Sequence, residues 1–165
     1  MLVRKLTEED GEALWVLRLR ALTDNPEAFA TTYEETLASG RERLLEGLRQ
    51  EESFYVGAFE HGLIGMVYFR REEGLKNRHK GRILSMYVQP ESRVQGLGKV
   101  LLQEVTAQVK QLVGVEQLHL TVVTTNVAAR SLYHSMGFEV YGTIQRALKM
   151  DEQYWNEVQM VLHLP

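Results

Sequence analysis

Two stretches of the 165-residue chain carry residue types and spacings suited to holding an anion and moving a proton. The first is Val88-Gln89-Pro90-Glu91-Ser92-Arg93-Val94-Gln95-Gly96-Leu97-Gly98-Lys99. Pro90 has no N–H for a strand ladder, so a strand ends there. A long helix is expected to begin near Leu97, with Leu101, Val105, Val109 and Leu112 on one face. Gly96 and Gly98 allow a ligand close to the backbone, while the free N–H groups and dipole of the helix start favour a negative charge. Arg93 and Lys99 add positive charge at the same mouth. Three phosphate sites would suit these features. A P-loop needs Gly where Arg93 stands and Ser or Thr where Val100 stands, and a dinucleotide fingerprint needs a third Gly where Leu101 stands. An Arg-x-x-Gly-x-Gly turn remains, and a turn softened by glycine that binds nothing is an equal alternative.

The surrounding elements would position this turn in a sheet. An opening strand at 2–6 is followed by Thr7 and Asp10 as a capping box, then by a helix with Leu14, Leu17 and Ala21 inward. Asn25-Pro26 breaks that helix. Ser39 and Glu42 predict a second cap, before a short helix carrying Leu44, Leu45 and Leu48. From Phe54 the pattern alternates with period two, predicting a hairpin that turns at His61-Gly62. A polar loop, 72–80, leads to a third strand at 82–89. After the long helix, a strand at 115–125, a helix at 127–136 and strands at 138–144 and 155–164 complete the order βααβββαβαββ. This predicts one α/β domain over 1–165, with a mixed, mostly antiparallel central sheet flanked by helices.

The second stretch is Asn126-x-x-Ala129-x-x-Leu132-Tyr133-x-x-x-Gly137-Phe138, again a strand followed by a helix. Together with Arg93-x-x-Gly96-x-Gly98 and the order of elements, it resembles the GNAT superfamily of acyl-CoA-dependent N-acyltransferases along essentially the whole chain. Val94 departs from the resemblance, since many members have Gly there. The segments 17–22, 26–29 and 33–35 and the tail Arg146-Ala147-Leu148-Lys149 look like a bacterial subgroup of single-domain members.

The resemblance implies acetyl-CoA as cosubstrate. Arg93, Val94, Gln95, Gly96, Leu97, Gly98 and Lys99 would wrap its pyrophosphate, and the backbone of Met86, Tyr87 and Val88 would bond its pantetheine arm. Asn126 would meet the pantetheine or thioester end, with N-capping of the next helix an equal role. Arg130 and Ser131 would touch the arm or phosphates. Tyr133 would be the general acid that protonates the departing thiolate, for which a phenol of pKa about 10 is suited; spacing alone reads it as core packing. Glu34 and Glu35 are the base candidates, with solvated surface as their plainer role. A base matters most for an amine of pKa about 10.4, whose deprotonation at pH 7 costs about 4.6 kcal/mol. His119, in an apolar strand, reads as a satisfied core histidine.

Composition narrows the classes further. A net charge of −3 argues against a general grip on nucleic acid or an anionic membrane. The chain has no cysteine, so disulfides, an acyl-cysteine intermediate and thiolate zinc sites are excluded. The five histidines lack zinc-binding spacing, so no metal is implied. The start MLVRKLTEED has no apolar leader core, and a cytoplasmic protein is expected. The expected function is N-acetyl transfer from acetyl-CoA to a primary amine of a small molecule or peptide, directly in a ternary complex. A non-catalytic acyl-CoA-binding or sensing module is the alternative. No nucleic acid or membrane partner is expected, and a homodimer is left open.

Overall fold

A computed structural model describes residues 1–93 and 96–165; the expectations placed on Val94 and Gln95 lie outside the described residues. β1 (Leu2–Lys5) is followed by α1 (Gly11–Asp24), α2 (Tyr33–Ser39) and α3 (Arg41–Leu48). Next come β2 (Phe54–Phe59), β3 (Leu63–Arg71), β4 (Lys80–Val88), α4 (Leu97–Val109) and β5 (Gln117–Val123). The chain continues with α5 (Val127–Ser135), β6 (Glu139–Met150) and β7 (Gln153–His163). The strands form one sheet in the order β1-β2-β3-β4-β5-β7-β6. β4 and β5 are parallel and the other pairs antiparallel, the mixed sheet that the sequence predicts.

Strand alternation sends side chains to two cores. Phe54, Val56, Ala58, Val67 and Phe69 pack with Leu101, Val105 and Val109 of α4. Tyr55, Leu63, Met66 and Tyr87 pack with Leu14, Leu17 and Ala21 of α1. The sheet is therefore covered on both faces, which buries both sides of its central strands.

The expected second helix is α3, and a further helix not expected from the sequence, α2, precedes it. Gly40 stands between them at φ +78, a left-handed conformation open to glycine. The box that starts the segment is Thr32 with Glu35. The expected box at Ser39 and Glu42 is absent, because each side chain has another partner. Ser39 Oγ donates to the Glu35 carbonyl at 3.0 Å, and Glu42 accepts from Arg49 at 2.8 Å. The expected pairing of Thr7 with Asp10 is present: Asp10 accepts from the Thr7 N–H at 2.8 Å and takes both arms of the Arg4 guanidinium. β6 runs six residues beyond its expected end at Ile144, through an irregularity where Arg146 has φ +51 and its N–H donates to Asn156 Oδ1.

Candidate active site

The site begins with a parting of two strands. β4 and β5 pair only at Lys80↔Gln117, Gly81↔Leu118 and Arg82↔His119. Beyond those pairs β4 stays with β3, and β5 stays with β7. The cause lies in β4. Its register against β3 slips between Met66↔Tyr87 and Tyr68↔Leu84, and Ser85 sits at φ +54. The extra residue forms a bulge that bends the strand away from β5. The facing edges of 83–88 and 120–123 therefore carry backbone groups with no ladder partner between these strands.

A groove of about 510 Å³ follows this parting. Met86, Tyr87 and Val88 of β4 line it, with Arg93, Gly96, Gly98 and Lys99 at one end and Asn126, Ala129 and Leu132 of α5 along the side. The two motifs thus meet at one groove. Leu97, Arg130, Ser131 and Tyr133 are not among its lining residues. Leu97 is buried in the core under α4, Ser131 is exposed, and Arg130 holds the β5–α5 connection by donating to the Thr124 carbonyl at 3.0 Å.

The two glycines have different causes. Gly96 caps α4 in the left-handed region at φ +68, and a Cβ there would meet nothing within 4 Å. Its cradle is open at the positive end of the α4 dipole, and the Gly96 carbonyl accepts from the Lys99 N–H at 3.2 Å and the Val100 N–H at 3.3 Å. Gly98 is needed for packing, since a Cβ there would lie 2.9 Å from Leu132 Cδ2 and 3.3 Å from Met86 Cε.

Arg93 is engaged within the protein. Its Nε donates to the Val88 carbonyl at 2.8 Å, Nη2 donates to Asn25 Oδ1 at 2.6 Å, and the guanidinium lies over the Tyr87 ring. Tyr87 donates its hydroxyl to Asp24, and burial with that carboxylate pushes its pKa up. Asn126 is the N-cap of α5, its Oδ1 accepting from the Ala129 N–H at 3.2 Å.

Tyr133 is 6% exposed and belongs to the main core, with its ring edge-on to Phe138 at 5.9 Å. Burial pushes its phenol pKa up, so the hydroxyl keeps its proton over the working pH range. Its neighbour Leu132 lines the groove, whereas the Tyr133 ring packs in the core.

The two base candidates part company. Glu34 lines a cavity of about 770 Å³ beside the groove, between the 26–34 segment and the β6–β7 hairpin residues Lys149, Gln153 and Trp155. Glu35 lines a different cavity, under α2 and α3, and its carboxylate accepts from the Thr32 N–H at 2.7 Å. Sequence reasoning missed Glu157 of β7. It is half-buried and pairs directly with Val123, a groove residue; burial pushes its pKa up. Only the strand register brings it beside Val123, without making it one of the groove's lining residues, and a lone Glu in an alternating strand gives no such signal. His119 is satisfied by Gln117 Oε1 and Tyr141 Oη, both at 2.9 Å, half-buried on the interior strand β5 and outside the core. Among the described residues no three His, Cys, Asp or Glu side chains cluster to hold a metal, and no helix is long and apolar enough to cross a membrane.

Residues 16–138 match the Acetyltransferase (GNAT) family. The chain is 35% identical over 94 residues to an N-alpha-acetyltransferase of Sulfolobus acidocaldarius, covering 53% of this chain and 56% of that protein. Against an N-alpha-acetyltransferase of Sulfurisphaera tokodaii the identity is 29%, covering 54% of this chain and 58% of that protein. The match therefore spans little more than half the length of these relatives. Among solved structures, a ribosomal-protein-alanine N-acetyltransferase from Brucella melitensis superposes with a TM-score of 0.85 at 25% identity, covering 99% of this chain and all of that one. A Salmonella typhimurium putative acetyltransferase solved with acetyl-CoA has a TM-score of 0.79 at 22% identity, covering 100% of this chain and 94% of that one. With the strand parting, the glycine turn and the Asn126–Tyr133 helix joined at one groove, the chain belongs to the GNAT acetyltransferase family.

Proposed function

We propose that this protein transfers an acetyl group from acetyl-CoA to a primary amine of a small molecule or peptide, directly in a ternary complex. The observation that carries this reading is the parting of β4 from β5 beyond Arg82↔His119, with the Gly96–Lys99 turn at the end of the resulting groove. The residues fit the cosubstrate. The open left-handed cradle at Gly96, the start of α4 and the Lys99 ammonium would take a pyrophosphate. The free backbone edge of 86–88 would pair with the amides of a pantetheine arm, in the manner of an added strand. The Salmonella neighbour's bound acetyl-CoA and the archaeal relatives' names support the donor and the amine acceptor.

Acetyl-CoA supplies an activated thioester carbon. The amine nitrogen forms the new C–N bond there, the C–S bond breaks, and one proton leaves the amine while another reaches the sulfur. Tyr133, whose ring packs in the core beside the groove-lining Leu132, is assigned the second proton by its place in the motif, its phenol being neutral and able to donate. Glu34 and Glu157 are the carboxylates assigned to the first; Glu157 has the raised pKa that suits a base. The chain has no cysteine to hold an acyl group, in keeping with direct transfer. Thiol release from acetyl-CoA across a panel of amines tests the activity. Acetyl-CoA at 100 times its Kd should stabilise the fold by about 2.7 kcal/mol. No thermal shift and no thiol release with any amine would overturn the proposal.

A further inference from the structure

Arg18 of α1 is a cation whose partners are all neutral. Its Nη1 donates to Ser85 Oγ at 2.7 Å and its Nη2 to Thr31 Oγ1 at 3.2 Å, while the guanidinium lies over the Phe29 ring at 4.8 Å. No carboxylate lies within ion-pair distance of it among the described residues. The residue is half-buried, and burial pulls its pKa down. An arginine carries five N–H donors, so these two bonds leave three unused. A desolvated charge without a counter-charge is unfavourable unless something else supplies one.

Its location says what that would be. Ser85 is the residue of the β4 bulge, next to Met86 of the cofactor groove. On its other side Arg18 lines a cavity of about 600 Å³ under α2 and α3, which has Trp15 and the stacked rings of Tyr55 and Tyr68 on its walls together with the charged Arg43, Glu46, Arg70 and Glu73. The guanidinium therefore stands between the place where the strands part and this chamber. Three carboxylates line the same chamber, Glu35, Glu46 and Glu73; Glu35 has its carboxylate on the Thr32 N–H, and none of the three is within ion-pair distance of Arg18 among the described residues.

We infer that Arg18 is a specificity-determining residue that takes the carboxylate of the acceptor, so that the favoured acceptors are free α-amino acids, with their side chains in the chamber. This rests on the acetyl-transfer reading and narrows its acceptor. The planar fork matches a carboxylate through paired N–H groups. An amine one carbon from that carboxylate then lies on the groove side of Ser85. The rings of Trp15, Tyr55 and Tyr68 offer that side chain apolar contact, and the charged residues of the chamber surround its far end.

The test compares L-phenylalanine and L-leucine with L-phenylalaninamide and L-leucinamide as acceptors. In the wild type the acids should exceed the amides in kcat/KM by roughly 10- to 100-fold, the range set by one charge-assisted pair. Arg18→Gln should abolish that ratio by raising KM for the acids, leaving the amides within about twofold. Arg18→Lys, which keeps the charge without the fork, should retain a reduced preference. A turnover-free arm titrates N-acetyl-L-phenylalanine and its amide into the CoA-bound protein by calorimetry; only the acid should bind. Equal use of acids and amides by the wild type overturns the inference while leaving acetyl transfer intact. So does an equal loss for both in Arg18→Gln, or no binding of the N-acetyl acid. Should Arg18→Gln fail to fold, the wild-type ratio and the calorimetric arm still decide. Loss of all thiol release together with loss of acetyl-CoA binding is the distinct failure of the activity itself.

Discussion

The carboxylate of Glu35 accepts from the backbone N–H of Thr32 at 2.7 Å, and Thr32 Oγ1 accepts from the Glu35 N–H at 3.1 Å. This reciprocal pair starts α2 and gives Glu35 a structural duty. A glutamine keeps an oxygen for the same bond, whereas alanine removes it. Glu35→Gln should therefore melt within about 1 °C of the wild type and keep its transfer rate. Glu35→Ala should lose about 1 kcal/mol, a drop of about 2–4 °C. Thermal scans beside initial rates check this. A collapse of kcat in Glu35→Gln with an unchanged melting temperature would instead make Glu35 the base.

Gly98 sets how closely α4 approaches α5 and β4. In a helix, Gly→Ala ordinarily gains up to about 1 kcal/mol. Here the added Cβ would lie 2.9 Å from Leu132 Cδ2, tighter than a van der Waals contact. Gly98→Ala should therefore fail to gain stability, and Gly98→Val should lose the acetyl-CoA thermal shift as Leu132 is pushed into the groove. Leu132→Ala added to Gly98→Ala should recover the propensity gain. A Gly98→Ala protein that is stabilised and binds acetyl-CoA like the wild type would show that Leu132 yields without cost.

Much of this was legible in the sequence, for reasons that differ by residue. The Asn126–Phe138 motif and the Arg93-x-x-Gly96-x-Gly98 turn could be read as one site through their resemblance to the GNAT superfamily, since locally Asn, Gly and Pro announce only a cap and a turn. The succession of strands along the chain followed from period-two runs broken by turns, while their order within the sheet did not. The bulge at Ser85 left no mark, since a positive φ at a serine arises from the pairing of β4 with β3 and is not a preference of Ser85 itself. The cap at Thr32 was legible and overlooked, because Ser39 and Glu42 offer the same spacing seven residues later. The tie of Arg93 to Asn25 joins residues 68 positions apart, beyond any pattern of spacing. Glu157 and Arg18 became candidates only when strand register and burial were known.

Glu157 allows a pH test. Burial pushes its carboxyl pKa up. Its desolvation opposes folding in the charged form, so stability from this site is fully present at low pH and is lost as pH rises through the raised pKa. Glu157→Gln should therefore raise the melting temperature at neutral pH, with the difference vanishing at acid pH. As a base it must be deprotonated, so the acid limb of kcat/KM should lie above the ordinary carboxylate range near 4.3 and disappear in the variant. A profile unaltered by Glu157→Gln, with the limb moved by Glu34→Gln instead, would assign the base to Glu34.

Tyr133→Phe isolates one hydroxyl. The ring's edge-on contact with Phe138 at 5.9 Å and its place in the core are kept, so the variant should fold and bind acetyl-CoA much as the wild type does. If the phenol protonates the departing thiolate, kcat should fall by about 10²-fold, near 2.7 kcal/mol of transition-state stabilisation. Burial raises the phenol pKa, which fixes the sign of its pH dependence: the acid form is fully populated at neutral pH, and its loss would come only in strong alkali. Wild-type kcat should therefore show no alkaline limb from Tyr133 below about pH 10, and the ratio of wild type to variant should stay flat across neutral pH. Amine attack is made limiting by choosing a weaker, sterically hindered nucleophile of similar basicity, and the ratio should then shrink, because the C–S bond breaks after the slow step. Single-turnover rates of acetyl transfer with strong and weak amines separate the two regimes. A variant with wild-type rates for both amines would return Tyr133 to packing alone and leave the sulfur's proton to solvent.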